Sequence, residues 1–465
     1  MNMINVRRLA VMTFLGAGML SDISAQDFSL QADTLNEARL PAQWDLQSCI
    51  DYALEQNITI RKNRVTAEST QIDVKTAKAA LFPSLSFSTS QQVVNRPYQE
   101  TSSRVSGSEI ISSNSKTSYN GNYGLNASWT IYNGSKRLKT LKQERLNNQI
   151  AELDVATSEN TIKESIAQIY IQILYAAESV RVNENTLQVS IAQRDRGQDL
   201  FNAGSIAKSD LAQLEAQVST DRYQLVTAQA TLQDYKLQLK QLLELDGENE
   251  MNVYLPKLSD ENVLAPLPTK KDVYVSALAI RPEIEASKLN VEASELGIDI
   301  AKSSYFPTIS LSAGIGTNHT SGSDFTFGEQ VKNGWNNSFG LSVSVPIFNN
   351  RQTKSAVQKA KLQRETNMLS LLDEQKALYK TIESLWLDAN SAQQRYAAAN
   401  EKLRSTQISY DLISEQFNLG MKNTVELLTE KNNLLQAQQE QLQAKYMAIL
   451  NTQLLKFYQG DKLTL

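Results

Sequence analysis

The 465-residue sequence predicts a mainly α protein with a β-barrel portion, written as two tandem copies of one unit. Three observations predict it. Distant segments repeat in register. Apolar residues recur mostly three, four or seven apart over stretches too long for a globular helix. Between those stretches, shorter segments alternate apolar with small polar residues.

The N-terminus reads as an export signal over residues 1–25. Arg7 and Arg8 precede a mostly apolar stretch from Leu9 to Leu20, and Ile23-Ser24-Ala25 offers a cleavage site. That stretch is too short to cross a bilayer as a helix. No later segment is long, apolar and uncharged, so no transmembrane helix is expected. The only cysteine, Cys49, lies far from the signal, and no lipid anchor at the mature start is expected.

The repeat comes next. Ala77-Lys78, Phe82-Pro83, Ser86 and Ser88 recur as Ala301-Lys302, Phe306-Pro307, Ser310 and Ser312, an offset of 224. Gly124-Leu125, Ile131 and Asn133 recur as Gly340-Leu341, Ile347 and Asn349, an offset of 216. That offset holds through Phe201-Asn202-x-Gly204 and Phe417-Asn418-x-Gly420. The difference therefore falls in one Ser-rich loop between residues 88 and 124. Each unit reads helix, strand, loop, strand, very long helix, turn, helix. The boundaries follow: 26–247 for the first unit, 248–269 for a Pro-bearing linker, and 270–465 for the second.

The long helices carry a coiled-coil spacing at Leu138, Leu141, Ile150, Leu153, Ile162, Ile166, Ile169 and Ile173. Tyr132 to Phe201 would span roughly 105 Å as one helix. Glycine at 204 and 420 allows the left-handed turn that ends each one. The strands show period two: Tyr123, Leu125, Ala127 and Trp129 alternate with Gly124, Asn126, Ser128 and Thr130. The second unit does the same with Leu341, Val343 and Val345 against Gly340, Ser342 and Ser344. In an exported chain this fits a transmembrane β-barrel with a small polar lumen. Four strands cannot close a barrel, so it must be shared between copies; two copies would supply eight strands and three would supply twelve.

Composition narrows function. One Cys and one His leave no intrachain disulfide and no multi-Cys/His metal site. A formal charge of −4 gives no general attraction to nucleic acid. No catalytic residue, metal or cofactor is expected. His319 falls in a hairpin loop and reads as solvent-exposed; Cys49 reads as a small buried apolar residue. Pro83, Pro307 and Pro346 redirect the chain between helix and strand. An exported coiled-coil scaffold without a pore is the alternative reading, and it leaves the two-faced strands unexplained. A hydrolase using paired carboxylates lacks a local acid cluster.

Taken together, the signal, the two Phe-Pro-led hairpins, the paired Phe-Asn-x-Gly turns and the opening Trp44-Asp45-Leu46 resemble the TolC-like outer membrane efflux family. The resemblance implies a homotrimer with a twelve-stranded barrel in the outer membrane of a Gram-negative bacterium and a helical tunnel through the periplasm. It implies a passive channel served by a periplasmic adaptor (membrane fusion) protein and an inner-membrane pump of RND, ABC or MFS type. The linker would join an equatorial belt. The tips at Phe201, Ala203, Gly204, Ser205, Phe417, Leu419, Gly420 and Met421 would dock the adaptor. Asp210, Phe417, Lys422, Glu426 and Thr429 would form the gate, with Lys422 reaching Asp210. Phe417 stands where the family can have Tyr, and Thr429 where it can have a second acid. Trp129, Tyr132 and Phe348 would sit at the membrane interface.

Overall fold

Each unit opens with two helices rather than one, and the break falls at matching positions. In the computed structural model, α1 (Leu46–Gln56) and α2 (Ile58–Ala79) meet at Asn57. Asn57 leaves the helical region at ψ 126 and its side chain accepts from the Thr59 and Ile60 amides, starting a new helix. In the second unit, α5 (Lys270–Ile280) and α6 (Pro282–Ser303) meet at Arg281, with Pro282 supplying the first turn of α6. Arg281 is buried. It pairs with Glu164 at 2.9 Å and lies 3.6 Å over the Tyr458 ring.

The structure describes residues 41, 43–98, 102–106, 109–113, 116–245, 251–256, 263–321, 323 and 325–464. The export signal and part of the linker, including Glu248, lie outside them. The chain divides into two units. The smaller holds Trp44 and Asn252–Tyr254, where Trp44 bridges Val253 in parallel. All that follows concerns the larger, Asp45–Met251 and Leu255–Leu465.

The strands form one four-stranded antiparallel sheet in the order β1 (Ser84–Asn95), β4 (Thr117–Asn133), β5 (Thr308–Thr320), β6 (Asn336–Ser344). The Ser-rich stretch read as a single loop also contains a separate hairpin, β2 (Ser102–Ser106) with β3 (Glu109–Ser113). A short helix, α7 (Phe327–Asn333), interrupts the second loop and begins with a capping box from Thr326 and Glu329. β4 carries a bulge at Ile131, so that Tyr132 rather than Ile131 faces Ile309.

Two consecutive left-handed residues turn each sheet strand into its long helix: Gly134-Ser135 and Asn350-Arg351. The helices α3 (Lys136–Asn202) and α8 (Gln352–Asn418) are each 67 residues, roughly 100 Å at 1.5 Å per residue. α3 thus starts after the strand ends at Asn133, later than the expected Tyr132. The returning helices are α4 (Lys208–Leu242) and α9 (Thr424–Gln459). One apolar core lies where α5 and α6 meet α8 and α9, built on Val273, Ile284, Ile382 and Leu455. The linker runs along α8: the Trp386 indole donates to the Pro268 carbonyl at 2.9 Å, and Gln393 donates to Val263 and Ala265. Cys49 is fully buried on α1, and burial pushes its thiol up to about 12. Among the described residues no helix is long and apolar enough to cross a membrane.

Candidate functional site

Two regions carry functional geometry: one face of the sheet and the two helical turns. The register aligns the small polar residues of all four strands. Ser88, Gly124 and Gly316 lie abreast, as do Ser128, Ser312 and Gly340 across β4, β5 and β6. No Asp, Glu, Lys or Arg occurs in these strands. The opposite face carries Phe87, Leu125 and Ile315 in one row. Such a sheet is apolar on one side and neutral and hydrophilic on the other. Both edge strands, β1 and β6, have one side unpaired among the described residues.

At the far end of the helices, Gly204 and Gly420 take φ +72 and +75, and a Cβ added at either would face open space. Each reverses the chain as the left-handed residue after a helix end. Ala203, Gly204, Ser205, Leu419, Gly420 and Met421 are exposed, and Phe201 is half-buried. Phe417 differs from expectation. Its ring is buried among Leu214 and Leu427, with Leu200 packed beside them, so it ties one hairpin to the other and offers no docking surface.

Lys422 also departs from expectation. Its ammonium pairs with Glu426 at 2.6 Å, four residues along its own chain, and not with Asp210. Asp210 is engaged in starting α4, accepting from the Ala207 amide at 3.1 Å. Glu426 starts α9 in the same way, exchanging hydrogen bonds with Asn423. The Lys422 hydrogen bond and the Asn423 amide hold the Glu426 carboxyl below the usual glutamate value. Asp210, Lys422 and Glu426 still line one pocket of about 660 Å³ between the two turns. Thr429 is exposed and its hydroxyl donates to the Val425 carbonyl at 2.8 Å.

Above the turns sits a group that sequence reasoning missed. Lys431 of α9, Asp221 of α4 and Ser190 of α3 are 3%, 1% and 2% exposed and bonded to one another. Gln217 adds a hydrogen bond to Asp221 at 2.9 Å. Burial holds Lys431 below the ordinary lysine value, against the pull of Asp221. Further ties join the same two hairpins: Gln193 donates to the Tyr410 hydroxyl at 2.9 Å, and Arg196 to the Asn418 carbonyl at 3.2 Å.

The aromatic residues fall at both ends of the sheet. The Trp129 indole donates to the Leu81 carbonyl at 2.9 Å, where α2 passes into β1. Tyr132 and Phe348 are exposed at the same junction. Phe82, Tyr305 and Phe306 join them, marked in sequence by the prolines that follow Phe82 and Phe306. His319 is not a loop residue. It lies in β5 opposite Gly121, among Tyr119, Tyr123 and Phe327 at 5.0–5.9 Å. Gly121 makes room for it, since a Cβ there would stand 2.3 Å from the imidazole. No group of three or more potential metal ligands occurs among the described residues.

Comparison with known proteins gives one consistent result. Residues 49–244 and 273–460 match the family described as "Outer membrane efflux protein". Outer membrane efflux protein BepC of Brucella suis is 25% identical over 294 residues, 63% of this chain and 61% of BepC. Outer membrane protein TolC of Escherichia coli is 26% identical over 341 residues, 70% of this chain and 66% of TolC. The chain thus spans somewhat under two thirds of each of these relatives. Among solved structures, the outer membrane protein VceC of Vibrio cholerae shares the fold with a TM-score of 0.73 at 16% identity, over 90% of this chain and 97% of VceC.

Proposed function

Since this chain belongs to the outer membrane efflux protein family, we propose that it is the passive exit duct of a tripartite export system. Three copies pool their strands into a twelve-stranded barrel in the outer membrane of a Gram-negative bacterium, and their long helices enclose a tunnel through the periplasm. Solutes pass without covalent change, and an inner-membrane pump acting through a periplasmic adaptor supplies the energy. The unit boundaries, 26–247 and 270–465 around the 248–269 linker, belong to this reading. So does the adaptor at the tips formed by Phe201, Ala203, Gly204, Ser205, Leu419, Gly420 and Met421.

The observation that carries the reading is the sheet. A four-stranded sheet with two open edges cannot stand alone in lipid, because unpaired backbone groups there cost several kcal/mol each, on the order of 2–7. Its unbroken small polar face suits a water-filled lumen, and the scaffold alternative gives that face no use. Gating is assigned to Asp210, Lys422, Glu426 and Thr429 at the turns. There Lys422 neutralises Glu426, so that copies of the acid can approach one another.

Planar-bilayer conductance tests the reading. Wild-type protein should show a small conductance, and Lys422→Ala, which leaves Glu426 uncompensated, a larger one. Equal conductance in both removes the gate assignment. Silence in both, from protein shown to be folded and inserted in the bilayer, favours the scaffold or a gate locked by other contacts.

A further inference from the structure

Helices α3, α4 and α9 enclose a trough of about 690 Å³. α3 lies at its bottom, where Ala176 and Asn183 are 3% and 4% exposed, and α4 and α9 rise on either side. Small residues at the bottom give it depth. A second groove, of about 520 Å³ between α8 and α9, continues from it, because Glu440 and Gln443 line both. On α8 this groove is lined by Asp388, Arg395 and Lys402, a stripe seven residues apart. The linker packs instead on Trp386 and Gln393, also seven apart and two positions earlier. Two positions at 3.6 residues per turn are about 200° around a helix, so groove and linker occupy opposite sides of α8. In the duct proposed above the linker joins the belt outside the tunnel, and the trough therefore faces inward.

The lining of the trough is polar and almost uncharged. On α4, Thr220, Gln224, Thr227 and Thr231 form a stripe spaced four, three and four apart. On α9, Gln436, Gln439 and Gln443 form another. The three threonine hydroxyls donate to carbonyls four residues back, at 2.9–3.0 Å, which leaves their oxygens as acceptors. The amides of Gln224, Gln439 and Gln443 carry donor and acceptor side by side, and among the described residues they make no hydrogen bond within the chain. Glu440 is the one charged residue of the lining. Both its oxygens are taken, by Lys402 at 2.7 Å and by Gln436 at 2.8 Å. Tyr223, 73% exposed, sets an aromatic ring on the α4 wall.

We propose that this trough is a solute site in the tunnel wall, and that the solutes it takes are uncharged saccharides. A sugar hydroxyl donates and accepts at once, and so matches amides set beside accepting threonine oxygens. The C–H groups of a sugar ring pack on the electron-rich face of Tyr223. A cation finds no open carboxylate in the lining, and an anion finds no ammonium or guanidinium. An apolar solute would strip water from the amides without replacing its hydrogen bonds, which is unfavourable. The volume is that of a small-molecule site. From Gln217 to Thr231 the trough runs roughly 21 Å along α4, room for a short linear chain of sugar rings. The inference rests on the duct reading and adds to it the class of solute.

Saturation-transfer NMR on the full-length, detergent-solubilised protein measures the binding, with maltotetraose as the probe. Maltotetraose should bind. Tetragalacturonate, a chain of as many rings with a carboxylate on each, should bind at least about tenfold more weakly. Tyr223→Ala, Gln224→Leu and Gln443→Leu change exposed residues and should fold as the parent does. Each should raise the Kd for maltotetraose by about two- to twelvefold, the worth of one net contact. Val226→Ala, exposed on α4 but outside the trough, should leave it unchanged. In a planar bilayer, maltotetraose should interrupt the current through Lys422→Ala protein, and Tyr223→Ala in that background should shorten the interruptions. No binding, equal binding of tetragalacturonate, or an unchanged Kd in all three trough variants overturns the site. Binding that never interrupts a measured current overturns its place in the tunnel. Binding by folded, inserted protein that carries no current leaves the saccharide site standing and counts against the duct.

Discussion

Lys431→Met removes the cation from the buried group that joins α3, α4 and α9. Asp221 would keep Gln217 at 2.9 Å and the Ser190 hydroxyl, but no countercharge, at a site 1% exposed. A carboxylate stranded in this way destabilises by about 3–5 kcal/mol. The double change Lys431→Met with Asp221→Leu removes both charges and keeps similar volume, and should return to within about 1–2 kcal/mol of the parent or exceed it. Recovery of about 1–4 kcal/mol when the second charge is also removed is the signature of a buried pair, because an exposed pair couples by less than about 1 kcal/mol. Urea titration of the detergent-solubilised protein gives the free energies. Protease cleavage at the two turns, within residues 200–210 and 416–426, reports the opening of the hairpins locally. A single variant costing under about 1 kcal/mol would show that water reaches the pair and refute the argument from burial. So would a double variant as damaged as the single one.

Other outcomes follow from the tips and the core. Glu426 is held below the ordinary glutamate value of 4.5, so its contact with Lys422 is fully present above that pH and lost as pH falls through the lowered value. Conductance should therefore hold steady through neutral pH and change only under more acid conditions, which a bilayer pH series reads directly. Cys49, with its thiol pushed up to about 12, should resist maleimide at pH 8 in folded protein and react once unfolded, by mass shift. Gly420→Ala meets no neighbour, so its cost is backbone strain alone, about 1 kcal/mol at φ +75; faster proteolysis at Met421, with global stability lowered by no more than that amount, is the expected result. Gly121→Ala would force the His319 imidazole out from between Tyr119 and Tyr123, visible as a changed near-UV dichroism of those rings.

Features set by local chemistry were legible in the sequence. The glycine turns, the two-faced strands and the long helices all follow from spacing within a few residues, and the repeat stated each of them twice. The breaks at Asn57 and Arg281 were equally local, an N-capping side chain and a residue before proline. They were masked by apolar periodicity running through both. What could not be read depends on residues distant in the chain. Lys431 stands between Glu430 and Asn432 and looks like a solvated charge. Only the packing of α9 on α4 brings it to Asp221, 210 residues away. The family resemblance points Lys422 to a distant acid, whereas Glu426, four residues along, lies on the same turn. His319 looked like a loop residue because its place depends on the missing side chain of Gly121 on another strand. Phe417 was assigned by its position at the turn, whereas its burial depends on Leu214 of the other hairpin.

The seam between β4 and β5 has a consequence for assembly. In any closed ring of these chains, whatever their number, half of the seams between units already exist within each polypeptide. Those seams form by intramolecular encounter, at the high effective concentration of a tethered pair, before any second chain is met. Only the remaining half depend on dilution and diffusion. Fusing the two units also fixes their alternation around the ring, so a neighbour can never present the wrong kind of edge.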